Sequence, residues 1–271
     1  MSGAAVREHL RLLEALRKIV AAMRTLAYAE IQRLTRIAAA QALAQQVLLQ
    51  AFADLSPEPA GPVRRVVWLA IGAERGFCGG FNERMADALV TRAGLEPQSA
   101  WRVAGDRLGQ RVEPRLASVT LLPGCSAADE GAERVDEWIA HLLQDGPLSD
   151  GALQLNVLYQ TEHGPVEWRL LPLPDLPPRT RGPAPLRQLP DEVLVSKLTV
   201  EWLRIGLLGA LFQSLLQENR WRLAQMQRAQ DHLDEAGEKL RRSYFRQRQN
   251  DITSELAILM SSLNILGDEP A

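Results

Sequence analysis

Arg65-Val-Val-Trp-Leu-Ala-Ile71 is an apolar run rich in β-branched residues, and Arg75-Gly76-Phe77-Cys78-Gly79-Gly80-Phe81-Asn82 follows it closely. Such a run predicts a buried strand. The glycines predict a tight reversal into a helix over Asn82–Arg92, with Asn82 as its cap and Met85, Ala88 and Leu89 facing inward. Strand candidates recur at Trp101–Ala104 and Ala117–Leu122, and a helix is expected over Glu130–Leu143, where Val135, Trp138, Ile139 and Leu142 share a face. Leu153–Tyr159 and Val166–Leu171 read as a hairpin across Glu162-His163-Gly164-Pro165. Alternation of strands and helices predicts an α/β layer domain with a mainly parallel sheet.

Outward from this core the composition changes sharply. Residues 1–55 hold no proline and one glycine, Gly3; residues 191–266 hold no proline and only Gly206, Gly209 and Gly237. All 16 prolines lie between these blocks or in the last few residues. Proline disfavours a helix interior by about 3 kcal/mol, so the two blocks read as long helices around an insert. Leu12, Leu16, Ile19, Met23 and Leu26 form one stripe, which Ile31, Leu34 and Ile37 continue after a one-residue shift. Leu55-Ser56-Pro57-Glu58-Pro59 ends it.

In the last block Leu208, Phe212 and Leu215, then Met226, Leu233, Leu240 and Tyr244, then Ile252, Leu256, Leu259, Leu263 and Leu266 carry a second stripe. Gly267 stops it, and a bend is expected around Gly206 and Gly209. The two stripes have an obvious way to be covered: against each other, as a long antiparallel coiled coil. An ordinary domain of short helices is the alternative, and the scarcity of turn residues counts against it. The expected division is therefore 1–55 as N-terminal coiled-coil helix, 63–175 as central α/β domain, 176–190 as proline-rich linker and 191–267 as C-terminal coiled-coil helix. The fold class is mixed α and α/β, with a Rossmann-like α/β domain inserted between the paired terminal helices.

The chain of 271 residues is 46% hydrophobic and carries 31 basic against 33 acidic side chains. That balance argues against a nucleic-acid binder, which needs a basic excess. Two cysteines, Cys78 and Cys125, provide no disulfide framework. No stretch is long and apolar enough to span a bilayer, so a soluble, intracellular chain is expected. The four histidines, His9, His141, His163 and His232, show no metal-ligand spacing, and no metal or cofactor is expected.

Gly76-Phe77-Cys78-Gly79-Gly80 is the one stretch with catalytic form, a G-x-C-x-G turn between strand and helix. A cysteine-dependent α/β hydrolase would add a base from His141, His163 or His232 and an acid from Asp129 or Asp145. The structural reading is that Gly76, Gly79 and Gly80 permit the reversal while Cys78 is a small buried side chain. Neither phosphate-binding glycine fingerprint is present.

These residues resemble a known family. Arg75-Gly76-Phe77-Cys78-Gly79-Gly80-Phe81-Asn82 is similar to the R-G-L-C-G-G-L-N signature of the γ subunit of F-type ATP synthases. Lys18-Ile19 and Ala22-Met23 resemble that family's K-I-T-K-A-M. The stretch from Glu218 to Met226 is similar to its S-E-x-x-A-R-M-x-A-M, and Arg248–Leu256 to its C-terminal R-Q-A-x-I-T-x-E-L. Val20, Glu74 and Asn219 depart from the usual Thr, Asp and His, as in a divergent bacterial form such as that of a sodium-translocating alternate complex.

The resemblance implies a non-catalytic rotor stalk, its coiled coil inside a ring of three α and three β subunits and its α/β domain facing the ε subunit and the ring of c subunits. It implies coupling of proton or sodium flow to conformational cycling of β, and peripheral attachment at the cytoplasmic face of the bacterial plasma membrane. It assigns partner contacts to Met23, Arg248, Gln249, Glu255, Leu256, Leu259 and Leu263, and a structural turn to Arg75, Gly76, Cys78, Gly79 and Gly80. An unrelated coiled-coil adaptor is the remaining alternative.

Overall fold

The computed structural model describes residues 3–55, 61–144, 153–179 and 187–266, with side chains at 5–55 and up to 260. Helix α1 spans Gly3–Leu55 and helix α5 spans Asp191–Leu266. Between them lie β1 (Arg65–Ile71), α2 (Phe81–Leu95), β2 (Ala100–Ala104), α3 (Asp106–Val112), β3 (Thr120–Leu122), α4 (Gly131–Gln144), β4 (Leu153–Thr161) and β5 (Gly164–Leu171). The expected stops at 56–59 and at Gly267, and Pro183 and Pro185 of the linker, lie outside the described residues. The chain divides into two compact units: Leu26–Leu223, and Met1–Thr25 together with Ala224–Ala271.

In the first unit the five strands are ordered β3-β2-β1-β4-β5. Neighbours run parallel except β5, which returns antiparallel against β4 as the hairpin expected from sequence. Successive side chains of a strand point to opposite faces, and both faces of β1 are covered. Val67, Leu69 and Ile71 belong to a core with Trp138 and Leu142 of α4, Trp202, Leu207 and Leu211 of α5, and Leu34 and Phe52 of α1. Trp68 and Ala70 belong to a second core with Phe81, Met85 and Leu89 of α2 and Leu108 and Val112 of α3. Burial on both sides explains why β1 reads as a continuous apolar run rather than an alternating one. Two core indoles are satisfied: Trp138 Nε1 donates to Pro123 O at 2.9 Å and Trp202 Nε1 to Leu170 O at 2.9 Å.

Several elements differ from those expected. The third strand begins at Thr120, not Ala117, and α3 was not anticipated. Asn82 is not a cap: α2 starts at Phe81, preceded by Gly80, and Asn82 is buried inside its first turn. No break marks Gly206 or Gly209, since α5 runs through both. Their role is close approach. A methyl group at Gly206 would lie 2.4 Å from Leu170 Cδ1, and one at Gly209 would lie 2.8 Å from Gln45 Nε2.

In the second unit the start of α1 and the last part of α5 lie side by side in opposite directions. Arg17 Nη2 pairs with Asp234 Oδ1 at 2.8 Å, and Glu14 faces Arg241 at 3.9 Å. The inward residues of α5 here are Met226, Gln230, Leu233, Gly237, Leu240, Tyr244 and Gln247, stepping alternately four and three. Those of α1 are Val6, Leu10, Leu13, Arg17 and Val20, in the same rhythm.

The stripe expected for α1 is thus displaced by one position. Leu12, Leu16 and Ile19 are exposed, as is Leu26 of the first unit. The phase set by Ile31 and Leu34 continues back through Ala27 to the N-terminus, and the leucines lie on the neighbouring face. On α5 cover ends after Gln247; Ile252, Leu256 and Leu259 are 49%, 56% and 58% exposed. Following the register back from Glu14 opposite Arg241, α1 begins about where α5 loses its neighbour.

The carboxyl ends of β1, β2 and β3 meet with almost no space between them. Gly105 has φ +106°, and a methyl group there would lie 2.7 Å from Gly72 O. Gly105→Ala therefore combines a left-handed conformation with a backbone clash. It is expected to lower unfolding free energy by about 2 kcal/mol or more, measured by denaturant titration of tryptophan fluorescence. A change of a few tenths would show that these strand ends are loosely packed.

Candidate functional site

The segment after β1 is held from both sides. Phe77 adopts φ +64° and Gly79 φ +57°, so the chain reverses within two residues. Phe81 N donates to Cys78 O at 3.2 Å and Arg84 N to Gly80 O at 3.2 Å, which launches α2. Asn82 closes the reversal: its Oδ1 accepts from Ala73 N at 3.0 Å and its Nδ2 donates to Cys78 Sγ at 3.5 Å. Glu74 reaches the other way, its Oε2 accepting from Asp106 N at 3.1 Å and Gly124 N at 3.0 Å. One carboxylate thereby ties together the ends of β1, β2 and β3.

Helix α5 covers the same edge. Arg222 Nε donates to Gly76 O at 3.5 Å, its Nη1 to Asn219 Oδ1 at 2.9 Å, and its Nη2 pairs with Glu218. Arg220 lies 3.4 Å from Glu162, in the turn after β4. Residues 218–222 therefore bridge the loops that leave β1 and β4, the pair of strands at which the sheet order reverses. Open α/β sheets take ligands at the carboxyl edge of such a pair. Here the chain's own buried ion pair occupies that edge.

Burial pushes the Glu218 carboxyl up to about 7, with Arg222 pulling it back only in part. The Cys78 thiol is also pushed up, chiefly by burial and then by Glu218. A nucleophilic cysteine needs the opposite, a lowered pKa and a base in reach. Cys78 is 3% exposed, and its described polar neighbours are Arg75 O and Asn82. Asp129 faces Arg33 at 3.6 Å, and Asp145 lies outside the described residues. The hydrolase alternative is not supported.

What the turn offers outward is a surface. Phe77 is 65% exposed beside an open concavity of about 350 Å³ lined by Gly76, Cys78, Gly79, Asn82, Arg107 and Arg111. Arg84 stacks over Trp221 at 4.8 Å. Among the described residues no cluster of His, Cys, Asp and Glu is suited to a metal, and no helix is long and apolar enough to cross a membrane.

The structure brings Arg75, Gly76, Cys78, Gly79 and Gly80 together with Glu218, Asn219 and Arg222. The proposed partner contacts lie in the other unit: Met23 is half-buried on α1, while Arg248, Gln249, Glu255, Leu256 and Leu259 are exposed on α5. The side chain of Leu263 lies outside the described residues. Reading the motifs separately missed the buried ion pair, although a Glu and an Arg four apart on a stretch otherwise buried among Leu215, Leu216 and Met226 were its signal.

Two outcomes follow for this pair. Because the folded Glu218 carboxyl titrates near 7, above its ordinary 4.5, the native state keeps a proton that the unfolded chain releases. Its contribution to stability is full below about 4.5 and is lost as pH rises to about 7. Glu218→Gln is expected to flatten this part of the stability–pH curve relative to the parent; an identical slope in both would refute the assignment. Arg222→Ala strands a buried carboxylate and is expected to cost about 3–5 kcal/mol at pH 8, with a smaller loss at pH 5, by chemical denaturation.

Comparison with known proteins gives one consistent result. The family model described as ATP synthase matches residues 2–266. The ATP synthase gamma chain of Heliobacterium modesticaldum is 24% identical, over 97% of this chain and 98% of the relative. That of Granulibacter bethesdensis is 29% identical, again over 97% and 98%. Among solved structures, a chain of the Euglena gracilis mitochondrial ATP synthase (OSCP/F1/c-ring, rotational state 3) has the same fold, with a TM-score of 0.63 at 14% identity, covering 100% of this chain and 98% of that one. A chain of the Tetrahymena thermophila mitochondrial ATP synthase central stalk/c-ring gives 0.53 at 16% identity, covering 78% and 99%. The chain belongs to the γ-subunit family of the ATP synthases.

Proposed function

We propose that this chain is the central rotor stalk of an F-type ATP synthase, coupling proton or sodium flow through a c-subunit ring to the conformational cycle of the catalytic β subunits. The observation that carries this reading is the match of the ATP synthase family model from residue 2 to residue 266. The chain is a non-catalytic subunit; ATP chemistry belongs to β. Its partners are three α and three β subunits, ε and the c-ring. It attaches peripherally through the complex, at the cytoplasmic face of the bacterial plasma membrane.

In this reading residues 1–55 and 191–267 form the shaft, an antiparallel coiled coil, with 63–175 as its Rossmann-like head and 176–190 as linker. The opposed pairs Glu14–Arg241 and Arg17–Asp234 support the antiparallel sense. A single asymmetric shaft presents a different face to each of three β subunits. Each β is then biased by its own differential contact with the shaft, and only a difference in contact shifts an equilibrium. Rotation exchanges the three biases in turn. The uncovered Ile252, Leu256 and Leu259 suit the bearing at the far end of the ring, where an apolar collar covers them. Arg248 and Gln249, about one turn before Ile252, and Glu255, next to Leu256, suit polar contacts to β loops, and Met23 a contact from α1.

Co-expression with the host's α and β chains is expected to give, by size-exclusion chromatography, one copy of this protein per ring. A free homodimer that ignores both would favour a coiled-coil adaptor instead. Within the assembled complex, Arg248→Ala is expected to leave folding intact and reduce ATP-driven ion pumping several-fold relative to hydrolysis. Unchanged pumping and rotation would remove Arg248 from the contact.

A further inference from the structure

The paired ends of the chain each place on their inward face a residue that is unfavourable there by itself. The inward face of α1 is apolar at Val6, Leu10, Leu13 and Val20 but carries an arginine at position 17. The inward face of α5 places a glycine, Gly237, between Leu233 and Leu240. Each is unfavourable alone. Glycine in a helix interior loses more backbone freedom than alanine, and a half-buried guanidinium gives up hydration.

The two exceptions meet. A methyl group at Gly237 would lie 2.7 Å from Arg17 Nη2 and 3.3 Å from its Cζ. The guanidinium thus lies in the notch that the missing side chain leaves. Beyond it, Nη2 donates to Leu233 O at 3.1 Å and pairs with Asp234 Oδ1 at 2.8 Å, while Nε is buried without a hydrogen-bond partner.

We propose that Arg17 is the register key of these paired helices, a positioning residue that seats only over Gly237 and so fixes their axial and rotational alignment. The remainder of the seam cannot do this. Its apolar residues repeat every three and four positions, so a slip by one heptad toward Gln230 sets Val6, Leu13 and Val20 beside Leu240, Leu233 and Met226, apolar on apolar again. For Arg17 such a slip is unacceptable: it would face the side chains of Gln230 or Tyr244, with no notch and no Asp234 beside it. A polar residue at one core position selects register at some expense of stability. The consequence for function rests on the rotor reading above: side chains from Arg248 onward reach a fixed height and phase only if the register is fixed.

The register itself is tested on the full-length chain by pulsed electron–electron distance measurement between spin labels at Arg11→Cys and Arg242→Cys. Cys78 and Cys125 are 3% and 2% exposed and stay in place. The parent is expected to give one narrow distance. Arg17→Leu, and Gly237→Leu which fills the notch, are each expected to add a population displaced by about 5–10 Å, one turn to one heptad. Arg17→Lys, which still threads the notch toward Asp234, is expected to keep the parent distribution. Should Gly237→Leu lose its helical circular dichroism, Arg17→Leu still decides, because it only makes the seam more apolar. A single parent-like distance in Arg17→Leu would overturn the key. Failure of the parent chain to join an α–β ring would instead overturn the rotor reading and leave this measurement standing.

Discussion

The buried pair of Glu218 and Arg222 is the constraint on which the unit Leu26–Leu223 depends. It places a carboxylate and a guanidinium, 2% and 8% exposed, against the loops that leave β1 and β4. Desolvating two charges offsets most of their attraction, so the pair adds little to stability by itself. Its effect is geometric. With Arg222 held on Gly76 O and Asn219, the helix and the glycine–cysteine turn have one relative placement. The same contact fills the position where an open α/β sheet would take a ligand, which is the physical reason that a strand–turn–helix with a central cysteine carries no chemistry here.

Glu74 does comparable work within the sheet. Its carboxylate accepts from the first backbone N–H of α3 and from Gly124, donors that in other folds of this kind serve an external anion. The strand ends are satisfied by the chain itself, and Gly72, Gly105 and Gly124 supply the room. Phe77 then stands outward on this turn, 65% exposed.

Much of this architecture was legible in the sequence where a local rule coincides with the tertiary demand. β1 is apolar because both its faces are covered, and the β4–β5 hairpin declares itself through its turn. The failures have a common cause. α3 is short and includes Gly109, where a methyl group would lie 3.1 Å from Leu121; packing made it a helix, not periodicity. Asn82 satisfies the local preference for a cap, yet Ala73 N, nine residues earlier, claims its side chain. On α1 two neighbouring faces are equally regular. Choosing between them required the partner helix, because the true inward face contains Arg17 and Ala27 and looks the less apolar of the two.

The division of α1 into two regular faces has a physical consequence. A helix whose leucines all faced its partner would be stable alone and would offer nothing outward. On α1 Leu12, Leu16 and Ile19 lie on the outer face, and on α5 Ile252, Leu256 and Leu259 are largely exposed as well. The inward seam, with Val6, Leu10, Leu13 and Val20 on α1 and Leu233, Leu240 and Tyr244 on α5, leaves this apolar surface uncovered. Stability is thereby deferred to whatever covers the outer face, and affinity for that cover comes from the same side chains. A turning shaft needs this division: a seam that never exchanges partners, fixed by specific polar contacts, and an outer surface that exchanges them at every step, held by contacts that have no direction.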